Sequence, residues 1–343
     1  MSAAGPPQGA NSIPLGNSEA AELANEAASL GGRHLAVEQP QGANSTSVGG
    51  NEAADLTDKS ASSGRARPAV PRIIAIANQK GGVGKTTTAV NLAASLSAMK
   101  RRVLLIDLDP QGNATTGAGA DKRSFTNTVY QVLLGEKKIA DVRVVSPTGG
   151  FDLVPSNREL AGAEIELVDL PERETRLKDA LAEALSQMRA AITEVAPDYD
   201  FILLDCPPSL SLLTLNGLCA ADSVLIPMQC EYYALEGLSD LVQTIKKVRA
   251  HLNPTLEIEG LLRTMYDPRN TLAQNVAAEL ERHFGDKLYR TIVPRNVRLA
   301  EAPSHGIPAL QLEPQSKGAL AYLALAGEIL RRMESAPAAE KAS

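Results

Sequence analysis

The chain has 343 residues, 44% of them hydrophobic, which suits one large domain with appendages or two small ones and excludes disorder throughout. A formal charge of -6, no tryptophan and 3% aromatics exclude a strongly basic nucleic-acid binder and an aromatic stacking platform. Any nucleic-acid contact must therefore come from a local patch.

Residues 1–70 are rich in Ala, Gly, Ser, Pro and Asn and hold few large apolar side chains, so they cannot bury enough surface to offset their ordering entropy. They are expected to form a disordered tail. "PQGANS" at 7–12 recurs at 40–45, and in the same register "EAAEL" recurs as "EAADL". Two copies are too few for a solenoid, leaving a duplicated linker or a pair of short helix-forming interaction motifs. The start "MSAAGPPQGANS" lacks the basic beginning and apolar middle of a signal peptide, and no run of about eighteen apolar residues follows, so a cytoplasmic location is expected.

From Ile73 onward, short apolar runs alternate with helical segments. Strands are expected at 73–78, 102–109, 151–156, 200–207, 223–229, 261–266 and 288–294. Helices are expected in "TTTAVNLAASLSAMK", "RETRLKDALAEALSQMRAAITEV", "LEGLSDLVQTIKKVRAHL" and "TLAQNVAAELERHFG". Near-continuous apolar strands alternating with helices imply a three-layer α/β fold, a mainly parallel sheet covered on both faces. Residues 71–335 form this domain, and 336–343 are expected to be a flexible C-terminus. Cys206, Cys219 and Cys230 sit in apolar surroundings without C-x-x-C spacing and read as buried thiols.

Between the first strand and the first helix lies "NQKGGVGKTTT", a phosphate-binding loop of the G-x-x-x-x-G-K-[ST] kind, with Gln79 where the first glycine is usual and an additional lysine, Lys80. Gly81, Gly82 and Gly84 permit the tight turn, and the helix that follows offers unpaired N–H groups and a positive dipole end to phosphates. Lys85 is placed to contact the β- and γ-phosphates, and the Thr86 hydroxyl to hold Mg²⁺. Ligands of a parallel sheet lie at the carboxyl ends of its strands. "RVLLIDLDPQGN" delivers Asp107 and Asp109 there, and "YDFILLDCPPS" delivers Asp205, the candidate for the Mg²⁺ carboxylate. Alternation along the strand puts Asp107 and Asp109 on one face, which suits one for metal-shell support and one to orient an attacking water.

The motifs "KGGVGKTTT", "LLIDLDPQGN", "FILLDCPPSL", "QCEYYALEGL" and "IVPRNVRLAEAPSHG", in this order, resemble those of the ParA/Soj-type chromosome-partitioning ATPases, a deviant phosphate-loop family that also includes the MinD cell-division proteins. The resemblance covers residues 73 to about 333. It implies binding of ATP with Mg²⁺ by residues 80–87, namely Lys80, Gly81, Gly82, Val83, Gly84, Lys85, Thr86 and Thr87. It also implies an ATP-sandwich homodimer in which Lys80 reaches the partner's phosphates. By the same resemblance Asp109 orients the water, Pro294 and Asn296 contact adenine, and Arg269 and Arg298 contact DNA without sequence preference. A ParB-like centromere-binding protein is the implied partner and the nucleoid the implied place of action.

Charge supports a DNA surface only modestly: residues 240–300 hold ten bases against seven acids, whereas 159–200 hold four against eleven. A MinD-like membrane ATPase is the nearest rival, but the C-terminal helix "GALAYLALAGEILRRMES" reads as packed rather than as a basic lipid-binding helix. An iron-sulfur reductase needs cysteines able to share a cluster across a dimer, for which Cys206 is poorly placed. A metabolic enzyme of the same fold needs a substrate pocket that the sequence does not reveal.

Overall fold

The structure, a computed structural model, describes residues 70–190 and 199–335. The duplicated segment and the C-terminal eight residues lie outside the described residues. An eight-stranded sheet in the order β3-β4-β2-β5-β1-β6-β7-β8 organises the domain. The strands are β1 (Arg72–Ile76), β2 (Val103–Asp107), β3 (Val144–Val145), β4 (Asp152–Val154), β5 (Phe201–Asp205), β6 (Ser223–Met228), β7 (Glu257–Tyr266) and β8 (Leu288–Pro294). Every pairing is parallel except β3 with β4.

The continuous apolar runs predict strands covered on both sides, and the side chains divide by alternation. Ala75, Leu104, Ile106, Ile202, Leu204, Val224 and Ile226 enter one core. Ile74, Ile76, Val103, Leu105, Leu203 and Leu225 enter the other. Over the first face lie helices Arg176–Ala190, Leu212–Ala220, Ala234–His251 and Thr271–Phe284; over the second lie Lys85–Ala98 and Lys317–Ser335. The C-terminal helix is packed as expected, with Tyr322, Leu325, Ala326 and Ile329 buried. Its Glu328 accepts hydrogen bonds from the backbone N–H groups of Arg290 and Thr291, tying the helix to β8.

All seven expected strands are present, with two differences. The two-residue β3 was missed because so short an edge strand carries no periodicity. β7 begins at Glu257, four residues before the expected start, because "EIEG" looks too polar for a sheet interior. The buried Glu259 is tolerated there because Arg72 pairs with it and the Ser223 hydroxyl donates to it at 2.7 Å.

β5 lies between β1 and β2, in a register that aligns Asp205 with Ile76 on one side and with Asp107 on the other. The phosphate-loop candidate leaves β1 at that same edge.

Candidate nucleotide-binding site

The turn from β1 into helix Lys85–Ala98 requires glycine at two positions, Gly82 (φ 74°) and Gly84 (φ 90°), both in the left-handed region. A side chain added at Gly81 or Gly82 meets no atom within 4 Å, so the loop's outer face is open. The first helix turn has no side-chain cap, leaving its N–H groups for another acceptor. Asn78 braces the loop entrance: its amide donates to Pro227 O at 2.8 Å, and its oxygen accepts the Lys80 N–H at 3.0 Å. Gln79, in the place of the usual glycine, has a buried amide nitrogen without a hydrogen-bond partner.

The two lysines differ. Lys85 is buried, its ammonium donates to Lys80 O at 3.1 Å, and burial lowers its pKa while Asp205, Cys206 and Asp109 oppose that shift. Lys80 is half-exposed, and its ammonium pairs with Glu231 at 2.5 Å, after β6. Glu231 stands in the motif "QCEYY", but no neighbour in the sequence points to this role, because the contact spans 151 residues.

Asp205 is fully buried, and neither carboxylate oxygen has a hydrogen-bond partner in ordinary geometry. Burial, then the charges of Asp107 and Asp109, hold its pKa well above the usual range, against the pull of the Thr86 hydroxyl and Lys85. An orphaned buried carboxylate beside an uncapped glycine loop is a fit for a divalent cation. No group of three or more Asp, Glu, His or Cys able to hold a metal occurs among the described residues. Mg²⁺ keeps waters and phosphate oxygens as ligands and takes few from protein, so one buried carboxylate and a hydroxyl can serve it.

Asp107 and Asp109 differ in burial, the first fully buried and the second partly exposed. β2 ends at Asp107, whose carboxylate turns inward and accepts the Thr115 N–H and hydroxyl at 2.8 Å each and the Asp109 N–H at 3.1 Å. Burial pushes its pKa up to about 6. Thr115 Oγ1 accepts the Ser156 N–H, and Ser156 Oγ donates to Asp109 O at 2.8 Å. Asp107 thus braces the segment that carries Asp109, and only Asp109 remains partly exposed.

Pro294 ends β8 beside Tyr266, and Asn296 is half-buried, accepting the Leu299 N–H at 3.2 Å as the cap of helix Val297–Glu301. Both lie on the same sheet edge as the loop, as do the two candidate DNA contacts. Those arginines are paired: Arg269 holds Asp267 at 2.8 Å, and Arg298 bridges Glu301 at 2.8 Å and Glu313 at 3.0 Å. Arg269 pushes the Asp267 carboxyl down to about 2. Of the other bases in 240–300, Arg263 donates to Tyr289 O, Lys287 to Ile258 O, and Arg282 pairs with Glu279. Of the ten bases, Arg269, Arg282 and Arg298 are thus matched by nearby carboxylates. The three cysteines are free and buried, as expected, and burial raises the thiol pKa of each.

Comparison with known proteins places this arrangement. A family model described as an AAA domain matches residues 71–258. The sporulation initiation inhibitor protein Soj of Bacillus subtilis is 53% identical over 258 residues, 75% of this chain and 98% of that protein. The chromosome partitioning protein ParA of Caulobacter vibrioides is 50% identical over 261 residues, 76% and 94% of the two chains. Cobyrinic acid a,c-diamide synthase of Mycobacterium smegmatis, solved with ADP and magnesium bound, superposes with a TM-score of 0.65 at 38% identity, covering 78% of this chain and 96% of that one. A loop, an orphaned carboxylate and identity of this extent over the whole domain assign the molecule: the chain belongs to the ParA/Soj family of chromosome-partitioning ATPases.

Proposed function

We propose that the chain is a DNA-partitioning ATPase whose ATP-bound homodimer holds DNA without sequence preference and whose hydrolysis, accelerated by a ParB-like centromere-binding protein, releases it. The observation that carries the ATP part is the buried Asp205 beside Thr86 and Lys85, where the glycine loop enters its helix. The kinship with Soj and ParA supports the partitioning part.

In this reading Lys85 and the loop N–H groups of residues 81–87 bind the β- and γ-phosphates. Thr86 and Asp205 would hold Mg²⁺, which would supply neutralisation of phosphate charge. Asp109, held by Ser156 and Gln111, orients the attacking water. Pro294 and Asn296 flank adenine. Lys80 leaves Glu231 to reach the partner subunit's phosphates; because the pair is solvent-exposed, the exchange costs little. Arg269 and Arg298 likewise exchange exposed carboxylates for DNA phosphates when two sheet edges are brought side by side.

Co-sedimentation with DNA and with liposomes, each in ATP and in ADP, tests this reading. ATP-dependent, salt-sensitive retention on DNA without lipid binding is expected. Retention on liposomes instead transfers the chain to a MinD-like membrane role. Against that role, the C-terminal helix buries its apolar face in the domain.

A further inference from the structure

The phosphate loop is gripped from behind by two side chains distant from it in the sequence, Thr264 and Gln229. Thr264, near the end of β7 and 2% exposed, has its hydroxyl 2.7 Å from Val83 O and 3.1 Å from Met228 O. A hydroxyl has one proton, so it serves one carbonyl at a time or splits between them, and the shorter contact is to the loop. Gln229, which follows β6, donates its amide to Gly82 O at 3.3 Å.

A peptide unit is planar and trans, so its C=O and the next residue's N–H point in opposite directions. Anchoring Val83 O on Thr264 turns the Gly84 N–H away from β7, and anchoring Gly82 O on Gln229 turns the Val83 N–H away from β6. Two successive donors are thereby aimed off the strands, toward the open outer face of the loop.

The backbone around Thr264 is shaped for this contact. Met265 has φ 49°, a left-handed conformation uncommon outside glycine, and the pairing of β7 with β8 shifts register between Arg263 and Tyr266. Thr264 Cγ2 and Met265 Cε lie 3.8 and 3.9 Å from where a Cβ of Gly84 would stand, so the same two residues also pack against the loop's last glycine. Local strain of this kind persists where surrounding structure over-determines it.

We infer that Thr264 and Gln229 are positioning residues for phosphate binding, holding the Val83–Gly84 and Gly82–Val83 peptides so that their N–H groups face the phosphates of a nucleoside di- or triphosphate. The inference rests on the nucleotide reading of the loop. It also makes β7 a mechanical link, since three residues beyond Thr264 begins the Asp267–Arg269 turn at the candidate DNA edge.

The test is titration of the full chain with ADP and with ATP in Mg²⁺, together with melting of the nucleotide-free protein. Thr264→Val keeps the shape but replaces the donor with a methyl that cannot approach Val83 O to 2.7 Å; Thr264→Ser keeps the donor. Thr264→Val is expected to weaken both nucleotides about tenfold, the effect of losing one buried hydrogen bond that aims another, with Thr264→Ser within about twofold of the parent. A merely structural role lowers the melting temperature but leaves the affinity of the folded fraction unchanged. Gln229→Leu, at a half-buried site, decides the matter if Thr264→Val does not fold: weakened affinity upholds the inference, and parental affinity overturns it. Lys85→Ala separates the two levels. If it abolishes binding while the Thr264 and Gln229 variants bind as the parent does, positioning fails and the nucleotide reading stands; if Lys85→Ala binds normally, the nucleotide reading itself fails.

Discussion

Replacing Asp205 with asparagine should make the ligand-free protein more stable and its nucleotide binding worse. Asp205 is fully buried with both oxygens unpartnered, and an unsatisfied buried acceptor costs ~1–3 kcal/mol, more when charged. Asp107 and Asp109 add repulsion, while Lys85 and the Thr86 hydroxyl return part of the cost. The neutral amide removes the charge and keeps the volume, so a net gain of about 2 kcal/mol is expected, or a melting temperature higher by roughly 5 °C for a domain of this size. Loss of the carboxylate should lower the Mg²⁺-dependent part of nucleotide affinity about 10- to 100-fold. The assay is thermal melting with and without Mg²⁺-ADP, across pH. The folded pKa values of Asp107 and Asp205 both lie above the unfolded value, so the native state takes up protons first. Ligand-free stability therefore rises as pH falls through about 6 and levels off near the unfolded pKa of about 4. Asp205→Asn should remove the Asp205 part of this rise and leave the part due to Asp107. A variant that melts below the parent, or one with an unchanged Mg²⁺ requirement, refutes the reasoning.

Lys80→Ala should keep ADP affinity and, because the pair it breaks is exposed, change stability by less than about 1 kcal/mol; light scattering should find no ATP-dependent dimer, and normal dimerisation would remove Lys80 from the interface. For Asp109→Ala, nucleotide binding should persist while steady-state ATP turnover falls about 100-fold or more, so parental turnover defeats its water-orienting role. Glu328→Ala removes the acceptor for the Arg290 and Thr291 N–H groups and the partner of Arg332, and should cost about 2–4 kcal/mol by denaturant titration. Nucleotide affinity of the folded variant should not change, and an unaltered unfolding midpoint would show that the helix is held by its apolar face alone.

The seven longer strands and the helices of fourteen residues or more could be read from the sequence because apolar runs and period-3.6 stretches are local signals that burial on both faces reinforces, whereas shorter helices such as Leu212–Ala220 and Val129–Leu134 were not. The glycine loop, Lys85 and the aspartates at strand ends were legible for the same reason: each chemical role is tied to a neighbour a few residues away. What the sequence could not rank was Asp107 against Asp109. Both follow the same apolar strand, and only the fold turned one carboxylate onto Thr115 and left the other partly exposed.

Contacts between distant segments escaped altogether. Glu231 meets Lys80 across 151 residues, and Thr264 meets Val83 across 181. The same holds for the arginines: counted along the chain they make a basic stretch, but folding sets Arg298 against Glu313 and Arg269 against Asp267. The sequence by itself determined the layers of this protein and the chemistry of its loop, since hydrophobic period and motif spacing are properties of neighbouring residues. Only the tertiary structure decided which carboxylate stays buried, which lysine pairs with Glu231 and which hydroxyl reaches Val83 O, because parallel pairing brings together strands that the chain visits more than a hundred residues apart.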